Sequence, residues 1–265
     1  NGYWTYSRNT VWTTKIELWQ DCIAKSPQKA RPYNNLGVFY TETGSPEKSL
    51  PYLRSAIRLD PTYEIAYTSM GTALLQLGRY PEALSYFRQA LATGRATPNL
   101  YVNMGAAFQR SGEMEKAIRS YEQALEIKPF RKAYNNLGKA YYQKGDLETS
   151  RQYLRKAVQI SPTYTVAWKN LESLQNIIAK HRKAIADIKQ QLQSQPFNTD
   201  RLYQLSSLHV ALGQYDRAAR TYETLAAIAP GNATIFYNLA CLYARQKQTG
   251  KAIANLKKAI DKGYT

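Results

Sequence analysis

The 265-residue sequence has two cysteines, two histidines, 19 acidic residues and no apolar run approaching the length of a membrane span. Each shortage removes a class of protein. Cys22 and Cys241 stand near opposite ends of the chain, so an elongated fold cannot bring them to the Cα separation of about 5.5–6 Å that a disulfide needs. His181 and His209 have no second ligand at the spacing of a zinc site. Glycine is present in number, yet none is followed by Lys-Ser or Lys-Thr at phosphate-loop spacing, and Gly250-Lys251-Ala252 lacks both the upstream glycine and the hydroxyl. No nucleophile stands with a base, so no catalytic activity, cofactor or metal is expected. The sequence opens without an initiator Met and without the apolar core of a signal peptide, as though cut from a longer chain.

Positive charge is what the chain has in excess. Lys plus Arg number 36, for a net charge of +17. The excess is spread as +2 over residues 1–29, +7 over 30–163, +3 over 164–196 and +5 over 197–265. So even a distribution fits a solvated surface that favours acidic partners. With no zinc spacing or RNA-binding signature beside it, no specific nucleic-acid partner is expected.

One pattern recurs along most of the chain. Tyr33, Leu36, Gly37, Tyr40, Gly44, Ser49, Leu53, Ala56 and Pro61 return 34 residues later as Tyr67, Met70, Gly71, Leu74, Gly78, Ala83, Phe87 and Ala90, without the proline. A third copy runs from Tyr101 through Gly105, Phe108, Gly112, Ala117 and Tyr121 to Pro129, and a fourth from Tyr134 through Gly138, Tyr141, Gly145, Ser150 and Leu154 to Pro162. Two more begin at Leu202 and Phe236, and residues 14–27 carry a partial leading copy. Within each copy the large apolar residues fall at three, four and seven, which makes two amphipathic helices. Gly44, Gly78, Gly112, Gly145 and Gly213 stand where the chain must turn between them. Gly37, Gly71, Gly105 and Gly138 oppose the small Ser49, Ala83, Ala117 and Ser150, and Pro61, Pro129, Pro162 and Pro230 stop the second helices that precede them.

The spacing resembles the tetratricopeptide repeat. That resemblance implies an all-α, right-handed superhelical solenoid of antiparallel helix hairpins: 1–29 an N-terminal segment with a partial repeat, 30–163 four hairpins, 164–196 a degenerate repeat or a continuous connecting helix, and 197–265 two further hairpins. It also implies a scaffold that holds a protein or an extended peptide in a concave groove lined by the first helix of every hairpin. The residue before each Leu-Gly pair points into that groove. Here it is Asn35, Asn103, Asn136, Asn170 and Asn238, with Ser69 and Gln204 interrupting. The series is similar to the asparagine ladder of the O-linked N-acetylglucosamine transferase repeat domain. An amide both donates and accepts, so it can pair with any peptide unit; alternatively, asparagine is simply the repeat's residue there. Arg31, Asn34, Asn99, Lys132, Asn135, Lys139 and Lys169 are expected on the same surface, making it basic and suited to an acidic peptide. The Lys-and-Asn clamp of chaperone-binding members does not fit, because Asn34 and Val38 fill its places.

Other residues take plain packing roles. His209 holds the second aromatic position of its copy, Cys22 a small core position, and most of the 22 tyrosines core positions, whereas Cys241 faces the groove. Between Pro162 and Pro196, Glu172, Gln175 and Ala179 replace the close-contact glycine, the aromatic and the turn glycine. With no breaker from Val166 to Gln193, one continuous helix is expected, and a fifth hairpin is the rival. The last hairpin has no polar helix over it, so Leu256 and Ile260 are expected to be partly exposed and to support weak self-association. Tyr3, Trp4, Tyr6, Arg8, Asn9 and Trp12, with Trp19 and Arg31, resemble the junction between a multi-pass membrane region and a C-terminal repeat array in bacterial glycosyltransferase-like proteins. On that resemblance the chain is an extracytoplasmic assembly or tethering module, and its aromatics either sit at the bilayer interface or cap the first repeat.

Overall fold

The computed structural model describes residues 14–94 and 96–264, among which there are fourteen α-helices and no strand. The aromatic residues Tyr3, Trp4, Tyr6 and Trp12, with Arg8 and Asn9, lie outside the described residues. Contacts divide the chain into two compact units, Asn1–Asn136 and Leu137–Thr265.

In the first unit a short helix α1 (Lys15–Lys25) precedes the hairpins α2/α3 (Ala30–Glu42, Pro46–Leu59), α4/α5 (Glu64–Gln76, Tyr80–Ala92) and α6/α7 (Pro98–Arg110, Met114–Ile127). Helix α1 starts at a capping box in which Thr14 accepts from the Glu17 amide and Glu17 accepts from the Thr14 amide. Helix α8 (Arg131–Gln143) begins in the first unit and ends in the second. The second unit continues with α9 (Leu147–Ile160), the long α10 (Thr165–Ser194) and the hairpins α11/α12 (Thr199–Ala211, Tyr215–Ile228) and α13/α14 (Ala233–Arg245, Thr249–Asp261).

The turns follow from backbone sterics. Gly44, Gly78, Gly112, Gly145 and Gly213 all take positive φ, between 68° and 85°, which costs a residue without Cβ nothing. The last hairpin has Lys247 at that position and still adopts φ 59°. In α10 the position is held by Ala179, a strong helix former, and no reversal occurs: the helix runs for 30 residues. Its buried side chains, Ala167, Leu171, Leu174, Ile178, Ile185 and Ile188, keep one stripe facing inward along its length.

The close-contact glycines admit a neighbour other than the small residue expected. A Cβ on Gly71 would lie 2.4 Å from Phe87 Cε1, one on Gly105 2.4 Å from Tyr121 Cε1, and those on Gly37 and Gly138 2.6 Å from Leu53 and Leu154 Cγ. It is the large side chain of the second helix that fills each glycine's missing volume, with Ser49 and Ser150 adding only a backbone oxygen at 3.3 Å.

The tyrosines also divide differently from the sequence expectation. Of Tyr33, Tyr40, Tyr67, Tyr101, Tyr121, Tyr134 and Tyr141, only Tyr121 is fully buried, and the rest are half-exposed. Amphipathic rings use both surroundings. Tyr33 and Tyr67 donate their hydroxyls to the Pro27 and Pro61 carbonyls at 3.2 and 3.0 Å, and Trp168 donates its indole N–H to the Pro162 carbonyl at 2.8 Å. In these three copies the first aromatic thus secures the linker that precedes it. Tyr40 and Tyr141 stack on Tyr52 and Tyr153 of the second helix, with ring centroids 5.6 and 5.5 Å apart.

His209 packs in the core of the second unit, 2% exposed, with its Nδ1 2.6 Å from Gln214 Oε1. Burial lowers its pKa from the ordinary 6.5, with Lys189 and Arg217 adding to the effect and the Gln214 hydrogen bond opposing it. As pH falls through 6.5 the unfolded chain takes up the proton before the folded one, so the stabilisation is complete above that range and declines below it. Urea midpoints measured between pH 7.5 and 5 should therefore fall towards acid. His209→Leu, which places at this position the residue that Leu74 supplies in the second copy, should flatten that dependence; an unchanged slope would assign it to other groups.

Candidate functional site: the first-helix faces

The five asparagines before the Leu-Gly pairs, or their equivalents, are all half-buried on first helices: Asn35, Asn103 and Asn136 in the first unit, Asn170 and Asn238 in the second. Asn103, Asn136 and Asn238 hold neighbouring elements. Asn103 Nδ2 donates across to Thr72 Oγ1 of α4 at 3.0 Å. Asn238 Nδ2 donates to the Tyr222 hydroxyl of α12 at 3.2 Å. The Asn136 side chain accepts from Asn135 Nδ2 at 3.3 Å and hydrogen-bonds the hydroxyl of buried Tyr121 on α7, whose pKa burial pushes well above the usual phenol range. A primary amide has two N–H donors and two lone pairs, so one such bond leaves capacity for a ligand. Thr72, Tyr121 and Tyr222 were legible in sequence as core or helix residues only; nothing in the spacing marks them as partners of the amides.

Two of the flanking residues are not on the surface. Asn34 and Asn135 are 2% and 3% exposed. Each precedes a ladder asparagine by one residue, and the 100° turn per residue of an α-helix swings it away from the groove and under its neighbours. The Asn34 Oδ1 is buried with no hydrogen-bond partner among the described residues. Arg31, Asn99, Lys132, Lys139 and Lys169 are exposed. The described ion pairs, Lys25–Asp21, Arg79–Glu82, Lys116–Glu113 and Arg151–Glu148, are all local, three or four residues apart. None of them uses Lys132, Lys139 or Lys169.

Depressions accompany these residues in each unit. In the first, an opening of about 170 Å³ between α2 and α4 is lined by Val38, Glu42, Thr68, Thr72 and Gln76, and another of about 290 Å³ between α1 and α2 by Leu18, Trp19, Asn35 and Phe39. In the second, a pocket of about 270 Å³ lies between α8 and α10, with Gly138, Ser150, Leu154 and Leu174 below and Lys139, Tyr142, Asn170, Ser173 and Ile177 around it. Among the described residues no group of His, Cys, Asp and Glu could hold a metal ion, and no helix is long and apolar enough to cross a membrane.

Comparison with known proteins follows the repeat pattern. Residues 29–96, 62–129 and 96–163 match one tetratricopeptide repeat model and residues 203–263 match another. Among solved structures, the APC/C hetero-tetramer Cut9–Hcn1 is similar over 96% of this chain and 44% of its own, at 17% identity and a TM-score of 0.53. The chain thus spans less than half the length of that relative. A thermophilic TPR protein in Thermus thermophilus is similar over 60% of this chain and 88% of its own, at 20% identity and a TM-score of 0.57. At such identities the likeness is one of fold. No curated protein matches the chain significantly.

Proposed function

The chain belongs to the tetratricopeptide repeat family, and on that premise we propose that it is a protein-interaction scaffold that binds an extended, acidic peptide segment along its first-helix faces. Repeats of this family commonly mediate protein–protein interaction; the peptide and its acidity are read from the side chains. The observation that carries the reading is the association, on first helices, of half-buried amides, exposed lysines without ion-pair partners among the described residues, and open depressions. Amides supply bonds to a peptide backbone of any sequence, and the lysines favour carboxylates.

An array of 12-residue peptides graded in acidity identifies a ligand, and calorimetry then compares the parent protein with an Asn35→Ala, Asn103→Ala variant. Each lost bond is worth about 0.5–1.5 kcal/mol, so affinity should drop at least about fivefold. Because Asn103 also holds Thr72, the variant should lose about 1 kcal/mol of stability as well. Exchanging Lys132 and Lys139 for Glu should slow association with acidic peptides and remove its salt dependence. Unchanged affinity in a folded variant would move the partner to another surface.

Ile253, Leu256 and Ile260 form an exposed apolar stripe on α14, which supports weak self-association as a secondary property. The second reading, an assembly module of a larger membrane-anchored glycosyltransferase-like protein, rests on the resemblance of residues 3–31 alone.

A further inference from the structure

Resting on the peptide-binding reading, we propose that the pocket between α8 and α10 receives one large apolar side chain of the partner peptide and that Lys139 at its rim selects a carboxylate beside that side chain. At one wall of the pocket the sequence departs from the repeat. At the position where α4, α6 and α8 carry Ala73, Ala107 and Ala140, each fully buried, α10 carries Leu174. Leu174 is three carbons larger than alanine, and its side chain forms part of the apolar wall of the opening.

Size and lining define the occupant. At about 270 Å³ the opening has room for a large apolar side chain. Leu154, Leu174 and Ile177 with the Tyr142 ring provide the apolar walls. The polar atom at the bottom is already satisfied, since the Ser150 hydroxyl donates to the Gly138 carbonyl at 2.7 Å, so an apolar group entering there strands no donor. Lys139 is exposed, lines the opening and has no hydrogen bond or ion pair among the described residues, and no acidic side chain lines the pocket. Residues 137–265 hold 19 Lys plus Arg against 8 Asp plus Glu. That imbalance favours a peptide in which carboxylates flank the anchor.

Three blocked pentapeptides test this against the full chain labelled at Ile and Leu methyls: Glu-Glu-Leu-Glu-Glu, the same with Ala at the centre, and Lys-Lys-Leu-Lys-Lys. The leucine-centred acidic peptide should shift the Leu154, Leu174 and Ile177 methyls saturably, and the other two should bind at least tenfold more weakly. Ser173→Trp, which fills the opening from an exposed helix position, should abolish those shifts while the rest of the spectrum stays in place. Lys139→Glu should weaken the acidic peptide and remove its salt dependence. Equal binding of the leucine and alanine peptides overturns the proposal, as does a response that survives Ser173→Trp. Shifts confined to other first helices overturn the pocket and leave peptide binding standing. Absence of any shift also overturns the pocket, and the peptide array then decides the wider reading separately.

Discussion

Replacing Gly71 with Ala should destabilise the first unit by about 1–2 kcal/mol, read as a lower urea midpoint by circular dichroism. The added Cβ would come within 2.4 Å of Phe87 Cε1, 2.6 Å of Cδ1 and 2.9 Å of Cζ. Phe87 is fully buried, so its ring has no empty space to move into. Overpacking of this kind costs about 1–3 kcal/mol, and the better helix propensity of alanine returns at most about 1 kcal/mol of it. Gly250 supplies the control: it lies in α14 with nothing within 4 Å of a Cβ and without positive φ, so Gly250→Ala should be neutral or stabilising. Phe87→Ala alone should cost about 3–5 kcal/mol. Combined with Gly71→Ala it should cost less than the sum, because the new methyl occupies part of the hole. Strict additivity would mean that the two residues do not share the volume.

Ala179→Pro should cost about 3 kcal/mol or more and reduce the ellipticity at 222 nm, while Ala179→Gly should cost about 1 kcal/mol. Ala179 is exposed, so neither change removes packing; both act on the backbone of a helix that continues through Lys180 to Ser194. Proline there removes one amide hydrogen and clashes with the preceding turn, which uncouples Ile185 and Ile188 from the stripe that includes Leu171 and Leu174. The glycine variant is the sharper measurement. At five equivalent positions glycine takes positive φ in a turn, so a chain that reversed at 179 would gain from glycine. A rise in stability would therefore contradict the continuous helix.

Most of the architecture was legible because repeated sequence makes repeated structure. The turn glycines, the prolines past Leu59, Ile127, Ile160 and Ile228, and the two apolar stripes per copy act through local backbone sterics and helical periodicity, both of which a sequence displays. Where one of these local signals is replaced, the result is also local: alanine for glycine at 179 lets the helix run on. Lys247 shows the limit of that logic. It lacks the glycine too, yet the α13/α14 turn forms, because buried Phe236, Leu239, Tyr243 and Ala259 of the two helices gather in one core cluster, and tertiary packing outweighs the cost of about 1–2 kcal/mol of a left-handed residue.

The candidate site was legible by position and not by bonding. Spacing placed the five asparagines on first helices, but a side chain's partner depends on which helices meet across 16 or 31 residues, as with Asn238 and Tyr222 or Asn103 and Thr72. For Asn34 and Asn135 a rotation of one residue decided between surface and interior.

By itself, then, the sequence determined the repeat, its two helices, its turns and the residues offered to a first-helix face, since each of these rests on short-range rules that act within one copy. Tertiary structure alone decided which large side chain fills each glycine's gap, which amides are engaged, that a pocket opens beside Leu174 against α8, and that the Gly213 turn comes to rest against Glu148, with a Cβ there 3.2 Å from that of Glu148. Those outcomes depend on side-chain volume and on contacts between helices far apart in the chain, and periodicity carries no record of either.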